Sequence, residues 1–307
     1  MLEGRVINPQ QVRDADVLLV RSVTRIDAEL LSGSTVRFVA SATSGIDHVD
    51  VDYLQRAGIV FTHAPGCNAE AVVEYVLSSL FVLALQLQFR LADKIVGIIG
   101  CGQVGTRLAR ALTALGVRYL LNDPPLSEIV GGNQYSDLEE VLQADIITLH
   151  VPLTDAGRYP TRHLVNEQFL GQLKPGAILI NTSRGGVVDE SALRQILRQN
   201  HCPVVLDVWE NEPDIDRELL AAVAIGTPHI AGYTIDARLR ATEMIYHRLC
   251  EHLHLSGCWK PETVLVHFPE TDVWIDAGVG TQDGLELAIL SHYDVRSDAA
   301  ALCQSRT

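Results

Sequence analysis

The chain lacks an excess of positive charge, and its cysteines show no spacing that would hold a metal ion. Its 307 residues carry 24 lysines and arginines against 38 aspartates and glutamates, a formal net charge of -14. That balance argues against nucleic acid as a partner. The six cysteines form no C-x-x-C pair and no His/Cys metal spacing, so we expect reduced thiols, no metal and a cytoplasmic location. The N-terminal sequence MLEGRVINPQQ is polar, and we expect no signal peptide.

The sequence also lacks an uninterrupted apolar run that could cross a membrane. Its most apolar stretch, residues 69–87, is broken by five polar residues: Glu70, Glu74, Ser78, Ser79 and Gln86. Its apolar runs are therefore far shorter than the ~20 residues that a membrane span needs. We predict a buried helix there and no membrane partner.

Short apolar runs alternate with helical patterns along most of the chain. The predicted strands are 17–20, 36–40, 59–61, 95–99, 119–121, 145–150, 177–181 and 204–208. The predicted helices are 69–88, 106–115, 138–143, 190–199 and 239–255. This order predicts an α/β fold with parallel sheets, and the length allows about two domains. Residues 256–307 show no clear period, so no structure is assigned to them.

A strand, a glycine turn, a helix, a second strand and an acid follow one another between residues 95 and 123. The turn, GCGQVG at 100–105, is a G-x-G-x-x-G pattern. Gly100 permits the tight turn, Gly102 lets backbone amides approach a pyrophosphate, and Gly105 lets the helix pack close to the strand. Asp123 can accept from ribose hydroxyls and would repel a 2′-phosphate, so we expect NAD as the cofactor. The alternative is a glycine-rich turn that binds no ligand.

Three polar motifs follow later predicted strands, where open α/β sheets bind ligands. They are NTSRGG at 181–186, DVWENEP at 207–213 and GTPHIAGY at 226–233. Together they offer an arginine, carboxylates and a histidine, which suit the oxidation of a 2-hydroxy acid. An arginine fork binds a carboxylate, and a carboxylate-oriented histidine accepts the hydroxyl proton. Spacing alone leaves open a surface charge at Arg184 and an ordinary loop residue at His229.

These motifs resemble those of the D-isomer-specific 2-hydroxyacid dehydrogenase family. R-G-(x)-V-V-D, D-V-W-x-x-E-P and T-P-H-I-A-G occur in the family's order, and the resemblance covers most of residues 15–255. Residues 20–24, 65–76 and 122–125 are similar to members that oxidise 4-phosphoerythronate to its 2-oxo acid with NAD, on the route to pyridoxal phosphate. The resemblance implies a doubly wound parallel sheet of the Rossmann type, the cofactor domain, inserted into a smaller flavodoxin-like substrate domain.

The resemblance also assigns roles to individual residues. It implies that Arg184 is the catalytic residue that binds the substrate carboxylate, that His229 accepts the proton and that Glu212 is its partner. Glu212 is preferred to Glu210 because it immediately precedes Pro213, as the family's glutamate does.

Further residues align with cofactor and substrate contacts. The expected cofactor contacts are Gly100, Gly102, Gln103, Val104, Gly105, Asp123, Val151, Thr182, Ser183, Asp207 and Gly232. Among them, Asp207 would meet the nicotinamide carboxamide, and Val151 replaces a residue that is commonly polar in the family. The expected substrate contacts are Ser22, Thr43 and Tyr233. We add Arg21 because a phosphorylated substrate needs a nearby cation; the alternative is an exposed charge at a strand end.

The family's pattern divides the chain into four segments. Residues 1–88 form the substrate domain, without the family's first strand, and residues 89–231 form the NAD-binding domain. Residues 232–255 form a helix returning to the substrate domain, and 256–307 are the remnant of a C-terminal dimerisation region. We therefore expect a homodimer that acts on a small phosphorylated 2-hydroxy acid. The alternatives are a dehydrogenase for another 2-hydroxy acid such as 3-phosphoglycerate, an NADH-responsive binding module, and a truncated NAD-binding protein without activity.

Overall fold

The computed structural model describes residues 4–131, 133–199, 202–263 and 280–304. These residues contain nine strands: β1 Val17–Val20, β2 Phe38–Ser41, β3 Val60–His63, β4 Ile95–Ile99, β5 Arg118–Asn122, β6 Ile146–Leu149, β7 Ile178–Asn181, β8 Val204–Leu206 and β9 Ile225–Gly226. The same residues contain thirteen α-helices: α1 Pro9–Val12, α2 Ala28–Leu31, α3 Val51–Arg56, α4 Ala69–Leu87, α5 Gln103–Ala114, α6 Pro124–Val130, α7 Leu138–Val141, α8 Glu167–Gln172, α9 Glu190–Gln199, α10 Arg217–Ala222, α11 Ile235–His252, α12 Thr281–His292 and α13 Val295–Gln304. They divide into two compact units, 4–68 with 233–263 and 69–232 with 280–304.

The first unit is a three-stranded parallel sheet with helices packed on it. Its strand order is β1-β2-β3, and the central strand β2 is buried along its whole length. Phe38 and Ala40 of this strand pack against Ala241 and Ile245 of α11. The carboxyl ends of β1 and β2 lead directly into the segments that carry two expected substrate contacts, Ser22 and Thr43.

The second unit is a six-stranded parallel sheet in the order β5-β4-β6-β7-β8-β9. The chain runs outward from β4 to β5, then returns to place β6 on the other side of β4. The carboxyl ends of β4 and β6 therefore form the topological switch point at which doubly wound sheets bind ligands. This sheet confirms the predicted α/β fold with a doubly wound, Rossmann-type cofactor domain.

Helix α4 is the central helix of the second unit. Within the described residues it alone is long and apolar enough to cross a membrane by length and composition, and it is mostly buried. Val76, Leu80 and Leu83 lie in one hydrophobic cluster with Leu108 and Leu112 of α5. The prediction of a buried helix is confirmed, and α4 is a core helix of the second unit. Because of this packing the boundary between the units falls at residue 68 rather than at the expected residue 88.

The C-terminal helices α12 and α13 also pack on α4. Ser78 of α4 donates from its hydroxyl to the carbonyl of Tyr293 (2.9 Å) and accepts from the amide of Val295 (3.1 Å). Gln282 of α12 bonds both the carbonyl of Phe89 and the amide of Leu91. The sequence assigned no structure to this segment. Residues 264–279 and 305–307 of the expected dimerisation region lie outside the described residues.

Candidate active site

The glycine turn after β4 is tight, and two of its glycines have no room for a side chain. Gly100 has a φ of +92°, and a Cβ at this position would overlap the carbonyl of His150. A Cβ at Gly105 would overlap the carbonyl oxygen of Gly100. Gly102 faces open space, with nothing within 4 Å of an added Cβ. The turn therefore brings α5 onto β4 and leaves its middle glycine accessible.

The first turn of α5 offers free backbone amides beside this open space. Its N-cap residue is Gly102, which makes no side-chain capping bond, and Gln103 and Val104 are the first two helical residues. Asp123, at the end of β5, accepts from the amide of Cys101 (2.8 Å) and from that of Leu126 (3.0 Å). Uncapped amides at a helix N-terminus suit a pyrophosphate, and a carboxylate one strand away suits a ribose. The residues present therefore fit a dinucleotide.

The loop after β7 is folded around a buried asparagine. Asn181 donates from Nδ2 to the carbonyl of Arg184 (2.9 Å), and its Oδ1 accepts from the amide and the hydroxyl of Ser183. Thr182 lies between them, with its hydroxyl 3.4 Å from Nδ1 of His150. Ser183, one of the expected cofactor contacts, therefore uses its hydroxyl in a hydrogen bond to Asn181 within the loop.

His150 sits at the carboxyl end of β6, beside the expected contact Val151. Its Nε2 lies 3.0 Å from the hydroxyl of Thr148. Burial lowers the pKa of His150 to about 3, so the ring stays neutral. Its carbonyl excludes a side chain at Gly100, and it therefore helps to shape the switch point.

Glu212 and His229 form a hydrogen-bonded pair in the second unit. Oε2 of Glu212 lies 2.7 Å from Nδ1 of His229, and Oε1 accepts from the amide of Trp209 (2.8 Å). The bond from Glu212 raises the pKa of His229, against burial that lowers it. Burial would raise the pKa of Glu212, but the bond and charge of His229 bring it below its usual value. The side chain of His229 is 48% exposed, so a substrate can reach the ring.

Arg184 lies close enough for its charge to act on this pair. The positive charge of its guanidinium helps to lower the pKa of Glu212 and partly opposes the rise in the pKa of His229. A Cβ at Gly185 would overlap the backbone of Trp209, so this glycine permits the close approach of the two loops. The structure thus brings all three expected catalytic residues together. Glu210 instead pairs with His163, at 2.7 Å.

The carboxylate of Asp207 holds the loop that carries His229. It is 1% exposed and accepts from the hydroxyl of Thr227 and from the amides of Ile230 and Ala231, all within 2.9 Å. All three donors belong to residues 227–231, immediately before the expected contact Gly232. A contact between Asp207 and the nicotinamide stays a prediction.

A cavity of about 790 Å³ adjoins the Glu212–His229 pair within the second unit. It is lined by the loops that carry Glu212 and His229 and by α10 and α13, with Trp209 and Leu220 among the apolar residues. No residue of the glycine turn lines it in the described part of the chain. The cavity is therefore distinct from the region that fits the dinucleotide.

Arg21 and Tyr233 lie together in the first unit. The guanidinium carbon of Arg21 is 5.5 Å from the centre of the Tyr233 ring, and that of Arg238 is 5.3 Å from the same centre. Ser22 is exposed next to Arg21, whereas Thr43 bonds Ser41 and the carbonyl of Gly45. The structure therefore brings the expected substrate contacts Arg21 and Tyr233 together and places Arg238 beside the same ring.

Several polar residues that shape these sites were not predicted from the sequence: Tyr75, His150, Asn181, Thr227 and Arg238. Asn181 and Thr227 lie inside the motifs at 181–186 and 226–233. In these motifs, catalytic roles were assigned to Arg184 and His229, and Asn181 and Thr227 received none. A tyrosine within an apolar helix was the signal available for Tyr75. Arg238 had the spacing of a helix-surface charge.

The family comparison agrees with this fold. Residues 83–231 match the D-isomer specific 2-hydroxyacid dehydrogenase, NAD binding domain. A D-lactate dehydrogenase from Aquifex aeolicus, solved with NAD and lactic acid, is 28% identical, with a TM-score of 0.65 over 81% of this chain and 86% of that one. An NAD⁺-bound 3-phosphoglycerate dehydrogenase from Entamoeba histolytica is 27% identical, with a TM-score of 0.68 over 80% and 81%. Fold and site define an NAD-dependent oxidoreductase that acts on a small hydroxy acid.

Curated relatives narrow this class. An erythronate-4-phosphate dehydrogenase from Hahella chejuensis is 53% identical over 302 residues, 98% of this chain and 79% of the relative. One from Escherichia coli O127:H6 is 47% identical over 303 residues, 97% and 79%. The chain belongs to the erythronate-4-phosphate dehydrogenase family. The predicted family, NAD cofactor and enzyme class are thereby confirmed.

Proposed function

We propose that this chain oxidises 4-phospho-D-erythronate to its 2-oxo acid with NAD, in pyridoxal phosphate synthesis. The relatives named above support the substrate, at 47% and 53% identity. The observation that carries the chemistry is the 2.7 Å bond between Glu212 and His229, with Arg184 beside it. This is the combination of groups that oxidation of a 2-hydroxy acid requires.

In the proposed reaction His229 removes the proton of the C2 hydroxyl. Its Nδ1 bonds Glu212, so the neutral ring carries its proton there and Nε2 is the nitrogen that accepts. The carboxylate of Glu212 stabilises the imidazolium that forms. NAD, held by the glycine turn and Asp123, would supply the acceptor for the hydride of C2. Arg184 binds the substrate carboxylate through its planar fork.

We assign the substrate phosphate to Arg21 and Arg238, whose guanidinium carbons lie 5.5 Å and 5.3 Å from the centre of the Tyr233 ring. Two guanidinium groups near one ring repel each other, and neither pairs with a carboxylate in the part of the chain that the structure describes. A phosphate offers oxygens to both and offsets that repulsion. Local positive charge is also needed because the whole chain has a net charge of -14.

The test of this function is NADH formation by the purified chain with four acids. We expect 4-phospho-D-erythronate to give a higher kcat/KM than 3-phospho-D-glycerate, D-erythronate or D-lactate. A higher kcat/KM for 3-phospho-D-glycerate would favour the alternative dehydrogenase. Binding of NAD without turnover of any acid would favour a non-catalytic NAD-binding protein.

The phosphate assignment has its own test. Arg21→Gln and Arg238→Gln should each raise KM for 4-phospho-D-erythronate about 10-fold or more, the loss of one charge-assisted bond. KM for unphosphorylated D-erythronate should change little. Arg25→Gln is the matched control, because Arg25 is exposed and pairs only with Asp27 among the described residues. Equal changes for both acids would contradict the assignment.

The substrate class requires neither nucleic acid nor a membrane. The homodimer and the cytoplasmic location stay predictions, and light scattering of the purified chain tests the former.

A further inference from the structure

A buried chain of hydrogen bonds links α4 to the loop that carries His229. The hydroxyl of Tyr75 lies 2.6 Å from Oγ1 of Thr227, which donates to Oδ1 of Asp207 at 2.7 Å. Tyr75, Thr227 and Asp207 are 1%, 0% and 1% exposed. Tyr75 has no role in the proposed reaction, yet its buried hydroxyl is hydrogen-bonded to Thr227.

The direction of these bonds follows from the number of protons. The hydroxyl of Thr227 has one proton and donates it to Asp207, so Tyr75 must donate to Thr227. Burial raises the pKa of Tyr75, which keeps its proton in place. Burial also raises the pKa of Asp207, but the bonds from Thr227 and the loop amides favour its charged form. A donor at position 75 therefore fixes the orientation of the Thr227 hydroxyl.

The loop of residues 227–231 has an unusual backbone conformation at His229, and these hydrogen bonds stabilise it. His229 has a φ of +59°, in the left-handed region that non-glycine residues seldom adopt. Such a conformation persists when its surroundings impose it. The carbonyl of Asp207 accepts from the amide of His229 at 2.6 Å, and its carboxylate accepts from the next two amides.

Thr227 also reaches the other member of the catalytic pair. Its carbonyl accepts from the indole of Trp209 at 2.8 Å, and the amide of Trp209 donates to Glu212 at 2.8 Å. A displacement of Thr227 would therefore shift the positions of both Glu212 and His229.

We propose that Tyr75 is a positioning residue for His229, acting through Thr227 and Asp207. The proposal rests on the function above, in which His229 accepts the substrate proton. Tyr75 touches neither substrate nor cofactor in this account. It sets the loop geometry in which the imidazole meets Glu212.

The first test compares Tyr75→Phe with Tyr293→Phe. Tyr293 is a matched control, because its ring centre lies 6.3 Å from that of Tyr75 and its hydroxyl donates to Asp298 rather than to the His229 loop. Tyr75→Phe should lower kcat about 10-fold with KM for NAD unchanged, whereas Tyr293→Phe should leave kcat within about twofold at a comparable loss of Tm. Equal kcat values for the two variants would overturn the proposal.

Variants of Thr227 test the same chain from its middle. Thr227→Ser keeps the hydroxyl and should retain kcat, while Thr227→Val should lower it. Because Tyr75 acts through Thr227, adding Tyr75→Phe to Thr227→Val should slow the enzyme no further. Multiplicative effects of the two substitutions would show that Tyr75 acts by another route.

A measurement without turnover separates this proposal from the proposed function. The pKa of His229 can be followed by NMR with labelled histidine, its signal identified by its absence in His229→Gln. Among the residues that the structure describes, the charges of Glu212 and Asp207 raise the pKa of this ring and the charge of Arg184 lowers it. Tyr75→Phe should lower the pKa of His229 by loosening the Glu212 contact, and Tyr293→Phe should not.

These results remain distinguishable if the proposed function fails. A lowered pKa in Tyr75→Phe, with no turnover of any acid by the wild type, would leave the positioning role standing and overturn the proposed reaction. Turnover by the wild type with an unchanged pKa in Tyr75→Phe would overturn the positioning role alone.

Discussion

At the scale of single residues, we expect the Glu212–His229 bond to set the pH range in which substrate is oxidised. A proton acceptor must be unprotonated, and the bond to Glu212 raises the pKa of His229 above its ordinary 6.5. The acidic limb of kcat/KM should therefore lie above pH 6.5, with activity rising as pH rises through it. Glu212→Gln should move this limb to lower pH, because the charge that stabilises the imidazolium is lost, and lower kcat about 10²-fold.

The chain offers a matched control for this experiment. Glu210→Gln removes the carboxylate two residues earlier, which pairs with His163 instead. Its pH profile for NADH formation should match that of the wild type. If the acidic limb of Glu212→Gln stayed in place or moved to higher pH, the assignment of His229 as acceptor would be wrong.

Arg184 tests the carboxylate-binding role by geometry rather than by charge. Arg184→Lys keeps the positive charge but loses the planar fork, so KM for the acid should rise about 10- to 100-fold. Arg198→Lys, at an exposed pair with Glu218, should leave KM unchanged. Steady-state kinetics at saturating NAD measures both. An unaltered KM in Arg184→Lys would exclude bidentate binding of the substrate carboxylate by Arg184.

At the scale of elements, a substitution in the turn between β4 and α5 can change NAD binding without a large change in stability. An added Cβ at Gly102 has nothing within 4 Å, so Gly102→Ala introduces no clash and should lower Tm only slightly, through the poorer N-cap. The same Cβ would stand where the backbone must approach a pyrophosphate, and Kd for NAD should rise about 10-fold or more.

Gly171 of α8 is the control for the same substitution. It also has nothing within 4 Å of an added Cβ, but it lies away from the glycine turn. Gly171→Ala should leave the Kd for NAD unchanged and can raise stability slightly, because alanine favours a helix. Calorimetric titration of both variants decides the matter. Similar Kd values would show that the turn does not bind the pyrophosphate.

Elements whose signals are local could be predicted from the sequence, and those with distant partners could not. The strand, glycine turn and helix of residues 95–114 carry their own periodicity and turn residues. Helix α6 also had a local signal, since Asp123 caps it and proline follows, but this acid was interpreted only as a ribose contact. Helices α12 and α13 were missed because their apolar residues pack on α4 across about two hundred residues of chain.

The candidate site divides in the same way. Glu212 and His229 could be paired because each lies in a recognisable motif. The link between Tyr75 and Thr227 spans 152 residues, and no local pattern announces it. Arg21 and Arg238 likewise both come near Tyr233 only once β1 and α11 are folded.

At the scale of the whole molecule, the chain has a net charge of -14 and yet has to bind an anionic cofactor. Selection between NAD and NADP should then depend on local charge, and Asp123 is the residue that would meet a 2′-phosphate. NAD at about 100 times its Kd stabilises the folded state by about 2.7 kcal/mol, which raises Tm by roughly 4 °C for a chain of 307 residues. NADP at the same concentration should give a much smaller rise.

Asp123→Asn should narrow this difference between the two nucleotides, because it removes the charge that repels the 2′-phosphate. The substitution also disturbs the bond from the Cys101 amide, so its Tm without ligand is expected to fall, and the shifts rather than the absolute values are compared. Asp137→Asn is the control, because Asp137 caps α7 as Asp123 caps α6 but follows no strand of the cofactor site. Its NAD and NADP shifts should equal those of the wild type. Equal stabilisation of the wild type by both nucleotides would contradict the role of Asp123, because a carboxylate at the ribose cannot then be excluding the phosphate.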